Sequence, residues 1–255
     1  MNPVASEWLR LQMPEHERFQ SACAQPERVQ LARLKAIVGA NAGTAFGQAH
    51  DFSGIRTSED FADRVPVGDH ATNVQPWLER MCSPNDGQLT KQPVRFFEQT
   101  SGTTGAAKLI PFTTALRSEI SRAVAAWMGG LNLESPGAFA GPAYWAISPP
   151  LMKSHPPVAG VPVGHLEDTA YFPRKRARAL SDWLVMDQAV QAETADAFYG
   201  HTLERLLACR DLAFVSVWSP TFFLNLDRCI RERLGHDFTW SDLWPRLALL
   251  SCWTD

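Results

Sequence analysis

The stretch Phe97-Glu98-Gln99-Thr100-Ser101-Gly102-Thr103-Thr104-Gly105-Ala106-Ala107-Lys108-Leu109-Ile110-Pro111 decides how this chain is read. Val94–Gln99 is rich in β-formers, and Lys108–Phe112 is a second short strand candidate. Between them, four hydroxyl residues (Thr100, Ser101, Thr103, Thr104) crowd around Gly102 and Gly105. Glycine lets a backbone come close to an anion, and peptide N–H groups with hydroxyls can converge on phosphate oxygens. Lys108 adds a mobile cation at the far end. The loop is not a Walker A motif, because the lysine stands three residues past Gly105 and is followed by Leu109. It matches neither Gly-x-Gly-x-x-Gly nor the Gly-x-Ser-x-Gly elbow. By composition alone, an ordinary Thr/Gly hairpin turn accounts for it equally well.

Working outward, Leu31, Leu34 and Val38 repeat at helical spacing, with Gly39 or Gly43 as a stop. Thr57–Phe61 has the form of a capped helix start, and Pro76–Met81 that of a short helix. After the loop, Leu116, Ile120, Val124 and Trp127 mark one helix face, capped by Thr113 or Thr114. Tyr144–Ile147 is a strand candidate, followed by a loop holding Pro149, Pro150, Pro156, Pro157 and Pro162. Glu193–Cys209 suits a helix and Leu212–Val217 a buried strand. Ser219-Pro220 opens a helix carrying Phe222, Leu226, Ile230 and Leu234, which Gly235 ends. Leu247–Cys252 is expected to be a buried strand.

Helices alternating with strands make an α/β fold. Residues 1–90 are expected to form a mainly helical segment, and 91–255 an α/β nucleotide-binding portion. The chain stops three residues after a core strand, with no covering helix or return crossover, so truncation is expected. The alternative is an edge strand that ends the domain.

At 255 residues the chain can bury about 70% of its unfolded surface, enough for a core without staples. Hydrophobic residues at 45% and charged residues at 20% exclude disorder. A net charge of −3 argues against a general nucleic-acid partner. Five widely spaced cysteines without Cys-x-x-Cys, and seven histidines without His-x-x-x-His, offer no metal or disulfide framework. No apolar run is long enough to span a membrane, so the expected setting is reducing and cytoplasmic.

The loop and its continuation Lys-Leu-Ile-Pro-Phe-Thr (108–113) resemble the phosphate-binding signature of adenylate-forming enzymes. More narrowly, they resemble bacterial members of the Gretchen Hagen three, or auxin-responsive promoter, family of acyl acid amido synthetases. Asn41–Phe52, Val65-Pro66-Val67, Trp218–Phe222 and Trp244–Trp253 fit the same family pattern, so the resemblance runs from about residue 30 to 255. It implies the N-terminal part of the large domain of an adenylate-forming enzyme, with mixed sheets flanked by helices. The implied reaction activates a carboxylic acid with ATP and Mg²⁺, then passes the acyl group to an amine or amino acid. Thr100, Ser101, Gly102, Thr103, Thr104, Gly105 and Lys108 match the phosphate-loop positions, with Lys108 in a catalytic role. The family's second motif, with its tyrosine and acidic residue, and its mobile C-terminal domain find no counterpart here. Two other readings stand beside this one: a fragment that binds nucleotide or a partner without catalysis, and a related acyl-coenzyme A ligase.

Five further features have plain explanations. Arg174–Arg178 is the densest basic run, and a solvated helix face fits the net charge better than a nucleic-acid contact. The proline-rich stretch 149–162 could line an acyl pocket or be a surface loop. His165 is the one histidine to test as a base, against a structural or exposed role. Trp127, Trp218 and Trp253 read as core, and Cys252 as a small buried hydrophobe.

Overall fold

The computed structural model describes residues 2–99, 108–146, 155–164, 168–186 and 194–252. Six helices come first: α1 (Pro3–Cys23), α2 (Pro26–Asn41), α3 (Ala45–Ala49), α4 (Ser58–Arg64), α5 (His70–Asn73) and α6 (Gln75–Glu79). Strands β1 (Phe96–Gln99) and β2 (Leu109–Phe112) follow, then α7 (Thr114–Glu134) and β3 (Ala143–Ala146). The remainder runs β4 (His155–Val158), β5 (Val161–Val163), α8 (Arg174–Trp183), α9 (Ala195–Ala208), β6 (Phe214–Val217), α10 (Pro220–Leu234), α11 (Trp240–Leu243) and β7 (Leu249–Cys252).

These elements form two compact units. One comprises residues 1–17, 118–153 and 166–255; the other comprises 18–117 and 154–165.

The first unit holds a three-stranded parallel sheet in the order β3-β6-β7. Every residue of β3 and β6 is buried, as a parallel sheet covered on both faces requires, and all but Ser216 are apolar or aromatic. On one face Val215, Val217, Tyr144 and Ala146 join Leu206, Phe222, Leu226 and Ile230 from α9 and α10 in one core. The other side is aromatic. Trp183, 1% exposed, stacks between Phe139 at 5.2 Å and Phe214 at 5.9 Å, with Trp8 at 6.5 Å. Its indole N–H donates to the Gly141 carbonyl at 2.9 Å.

The expected start and stop of α10 are both present. Ser219 accepts from the Phe222 N–H, Pro220 occupies the first turn, and Gly235 closes the helix at φ 68°. On the solvent side of this helix, Arg231 donates twice to the Asp227 carboxylate, at 2.8 and 3.3 Å, and Trp240 Nε1 donates to it at 2.8 Å. The Arg231 bonds, then the Trp240 bond, hold this carboxyl below its ordinary range. A folded value below the unfolded one of about 3.9 stabilises the fold above that pH, and the gain is lost as pH falls through the folded value. Asp227→Asn is therefore expected to flatten the fall in urea stability between about pH 5 and 3. An unchanged slope would show that the network carries no such linkage.

Three expectations about this unit need correction. β7 is not a buried strand: among the described residues it pairs only with β6, its residues are partly exposed, and Leu250 is 38% exposed. It is the edge of the sheet. The buried stripe of α7 is Ser121, Ala125, Met128 and Gly129, not Leu116, Ile120, Val124 and Trp127. Small residues win because α1 packs very closely here: a Cβ on Gly129 would overlap His16, whose Nδ1–H donates to the Ala126 carbonyl at 2.9 Å. Nor is the basic run of α8 wholly solvated. Arg176 donates to Ser121 Oγ and O and to the Leu11 carbonyl, so the middle of the run ties α8 to α1 and α7.

The second unit is built on a four-stranded sheet in the order β2-β1-β5-β4. Phe97, fully buried, packs with Leu78, Val94 and Val161. Val38, Phe52 and Ile55 form a smaller cluster under α2, which runs through Gly39 to Asn41 rather than stopping there. Thr57 and Asp60 form the capping box expected at the start of α4. The second half of the proline-rich stretch, expected as a loop, is the hairpin β4–β5. Val158 pairs with Val161 across the two-residue turn Ala159-Gly160, both at positive φ (51° and 75°). A turn of that hand matches the twist of the strands it joins. Pro156 and Pro157 are tolerated because β4 lies at the sheet edge and its pairing with β5 breaks register between His155 and Val158.

Candidate functional site

The β1–β2 hairpin brackets the hydroxyl-rich segment. Its register, Phe96↔Phe112, Phe97↔Pro111, Glu98↔Ile110 and Gln99↔Leu109, brings both ends of residues 100–108 together at one rim of the sheet. On the inner side β1 runs parallel to β5, with Phe97 opposite Val163 and the Gly164 N–H donating to the Phe97 carbonyl at 2.7 Å. Thr100, Ser101, Gly102, Thr103, Thr104 and Gly105 lie outside the described residues, as do His165 and Trp253. Of the site positions, Lys108 is described: it is exposed and immediately precedes β2.

Two neighbours of Lys108 carried no signal in local spacing. Asp69 caps α5, with Thr72 donating to it from backbone and side chain. Those bonds first, and the Lys108 charge further down the order, hold the Asp69 carboxyl below its ordinary range. His70 Nε2–H donates to the Leu109 carbonyl at 3.0 Å, across 39 residues of sequence. No spacing rule connects either residue with Lys108.

The other candidate groups offer less chemistry. Among the described residues no set of three His, Cys, Asp or Glu side chains could hold a metal ion. A crevice lined by Met81, Leu89, Val94 and Pro111 has about 10 Å³ of space, room for a single water. All five cysteines are free, and burial pushes the Cys209 thiol up to about 11. That thiol is a poor nucleophile at neutral pH. With iodoacetamide at pH 8, Cys209 is expected to label at least tenfold more slowly than exposed Cys23 and Cys82, read by peptide mass spectrometry. Equal rates would contradict the buried setting. Trp127 and Trp218 pack on aromatic neighbours, Trp145 at 5.5 Å and Phe222 at 3.9 Å, but both are partly rather than fully buried. Cys252 is partly rather than fully buried.

The fold has solved counterparts. It superposes on a GH3.15 acyl acid amido synthetase with a TM-score of 0.65 at 20% identity, over 89% of this chain and 39% of that one. The same enzyme in complex with 2,4-DB gives 0.64 at 20% identity, over 85% and 36%. At that identity the likeness shows the architecture: an α/β body with mixed sheets, equivalent to part of a larger enzyme. Residues 15–238 match the model of the GH3 family N-terminal domain, and the chain belongs to that family. A jasmonoyl–L-amino acid synthetase, JAR6, from Nicotiana attenuata is 30% identical over 105 residues, covering 39% of this chain and 17% of that protein. The chain therefore spans well under half the length of the relatives it matches. Among the described residues no helix is long and apolar enough to cross a membrane.

Proposed function

We propose that residues 100–108 bind the polyphosphate of ATP, in a protein that activates a carboxylic acid as its acyl-adenylate and passes it to an amine or amino acid. The observation that carries this is Lys108, an exposed cation at the mouth of a hairpin whose two strands pin both ends of a hydroxyl- and glycine-rich segment. Membership of the GH3 family supports it, and the relatives, named as an acyl acid amido synthetase and a jasmonoyl–L-amino acid synthetase, point to the same substrate classes.

The chemistry is then a double displacement. A carboxylate oxygen attacks the α-phosphorus, the bond to the bridging oxygen breaks, and pyrophosphate leaves. The acceptor nitrogen attacks the acyl carbon, AMP leaves, and the amine's proton passes to solvent. Lys108 would stabilise the negative charge that grows on the departing pyrophosphate. The exposed cation and the bracketed loop fit an anionic nucleotide. The described residues supply no carboxylate cluster for Mg²⁺, so the ion belongs to the proposal as a companion of the phosphates, and no step is assigned to it. Five free cysteines fit a reducing cytoplasmic setting.

Titration of this chain with ATP and Mg²⁺ by calorimetry tests the binding half. Acid-dependent exchange of labelled pyrophosphate into ATP tests the first chemical step. An acceptor assay with amino acids and coenzyme A tests the second, and transfer to coenzyme A alone would redirect the reading to an acyl-coenzyme A ligase. The same assays address a second reading, a nucleotide-binding module without turnover. Binding without exchange would support the module, and exchange by this chain would exclude it.

A further inference from the structure

We infer that His70 is a positioning residue for Lys108: its ring clamps the outer edge of β2 and so fixes where the lysine's backbone leaves the loop. The inference rests on the nucleotide reading above and deepens it.

The argument begins with the exposed side of an edge strand. β2 is the outermost strand of its sheet, so one row of its backbone groups has no partner strand. The Arg95 N–H donates to the Phe112 carbonyl at 2.8 Å, which turns Phe112 and, by alternation, Ile110 toward β1. Leu109 and Pro111 therefore face outward. Pro111 has no N–H to leave unpaired, which is why proline is tolerated there. The outward carbonyl of Leu109 is met by His70 Nε2–H at 3.0 Å. A carbonyl can only accept, so the ring must carry its proton on this nitrogen.

The histidine is well placed to act as a fixed point. It is the first residue of α5, half-buried, and the residue before it is held by the reciprocal Asp69–Thr72 cap. The helix is tied back through Asn73 Nδ2–H to the Pro66 carbonyl at 2.8 Å. One side of the hairpin is thus anchored by β5 through Phe97 and Gly164, the other by His70 through Leu109. Lys108 lies one residue before the second anchor and within electrostatic reach of Asp69. Its carboxylate gives the ammonium a neighbour of opposite charge. Holding a cationic side chain in place before the ligand arrives reduces what binding must order.

The test compares His70→Ala and His70→Gln in the full chain, with Lys108→Ala as a control. Glutamine can donate an N–H to the same carbonyl, so it is the conservative replacement. Two readings are taken: backbone amide exchange of Ile110 and Phe112 without ligand, and the calorimetric affinity for ATP with Mg²⁺. His70→Ala should speed exchange about tenfold and weaken nucleotide binding about tenfold, with the melting midpoint little changed; His70→Gln should restore both to within about threefold. Faster exchange with unchanged affinity would make His70 merely structural and overturn the inference. If Lys108→Ala weakens binding but His70→Ala alters neither reading, the clamp is wrong while the phosphate loop stands. If the unmodified chain binds no ATP, the nucleotide reading itself fails and the inference falls with it.

Discussion

Replacing Lys108 by alanine is expected to lower acid-dependent ATP–pyrophosphate exchange by about 10²–10³ in the complete protein that carries these residues. The size follows from the lysine's position. It is exposed, so its ammonium is available to an anion, yet its backbone enters a strand whose register is fixed residue by residue against β1. A preorganised charge aimed at a departing pyrophosphate is worth more in the transition state than in the bound ATP. The loss should therefore fall on the exchange rate more than on ATP affinity. Because the side chain is exposed, the unfolding midpoint should barely move. Lys108→Arg should recover part of the activity, since the charge returns with a different donor geometry. Undiminished exchange in the alanine variant would sink the phosphate-loop assignment.

The largest stability effect is expected at Trp183. Trp183→Ala would remove a ring that stacks against Phe139 and Phe214 and would strip the Gly141 carbonyl of its donor. Truncating a fully buried aromatic costs about 3–5 kcal/mol. For a chain of this length that lowers the melting temperature by roughly 6–20 °C. Trp183→Phe keeps most of the apolar contact and loses the hydrogen bond, so about 1–2 kcal/mol is expected. Urea unfolding followed by fluorescence and circular dichroism separates the two. An alanine variant within 1 kcal/mol of the parent would mean that the aromatic stack holds little of the sheet in place.

The legible parts of this molecule are those whose cause is local. Ser219, Pro220 and Gly235 bound α10 because a cap, a proline in the first turn and a left-handed residue each act over one helical turn. The strands flanking the hydroxyl-rich loop follow from their own β-formers. What escaped was set by pairing at a distance. Pro156 and Pro157 look like breakers until the sheet order places β4 at an edge and its pairing with β5 breaks register between His155 and Val158, where the missing N–H groups are tolerated. The buried stripe of α7 is displaced from its most hydrophobic line because His16 needs Gly129 opposite it. Arg176 reads as one more surface cation until α1 and α7 supply Ser121 and Leu11 as its acceptors. At the candidate site, Lys108 was visible from the loop pattern, while His70 depends on a partner 39 residues away that no spacing rule connects.

The interleaving of the two units also sets an order of assembly during synthesis. The unit made of residues 18–117 and 154–165 has all its chain once residue 165 has left the ribosome. The other holds residues 1–17 from the start and waits for β6 and β7, the last of which ends at Cys252. At 5–20 residues per second that wait is roughly 4–17 s. Trp8 of α1 gains its ring neighbours Phe172 and Trp183 early in that wait, whereas Phe214 of β6, which stacks on Trp183, comes later. The hairpin around the hydroxyl-rich loop can thus form early, while the parallel sheet is a late event that a chaperone could shield.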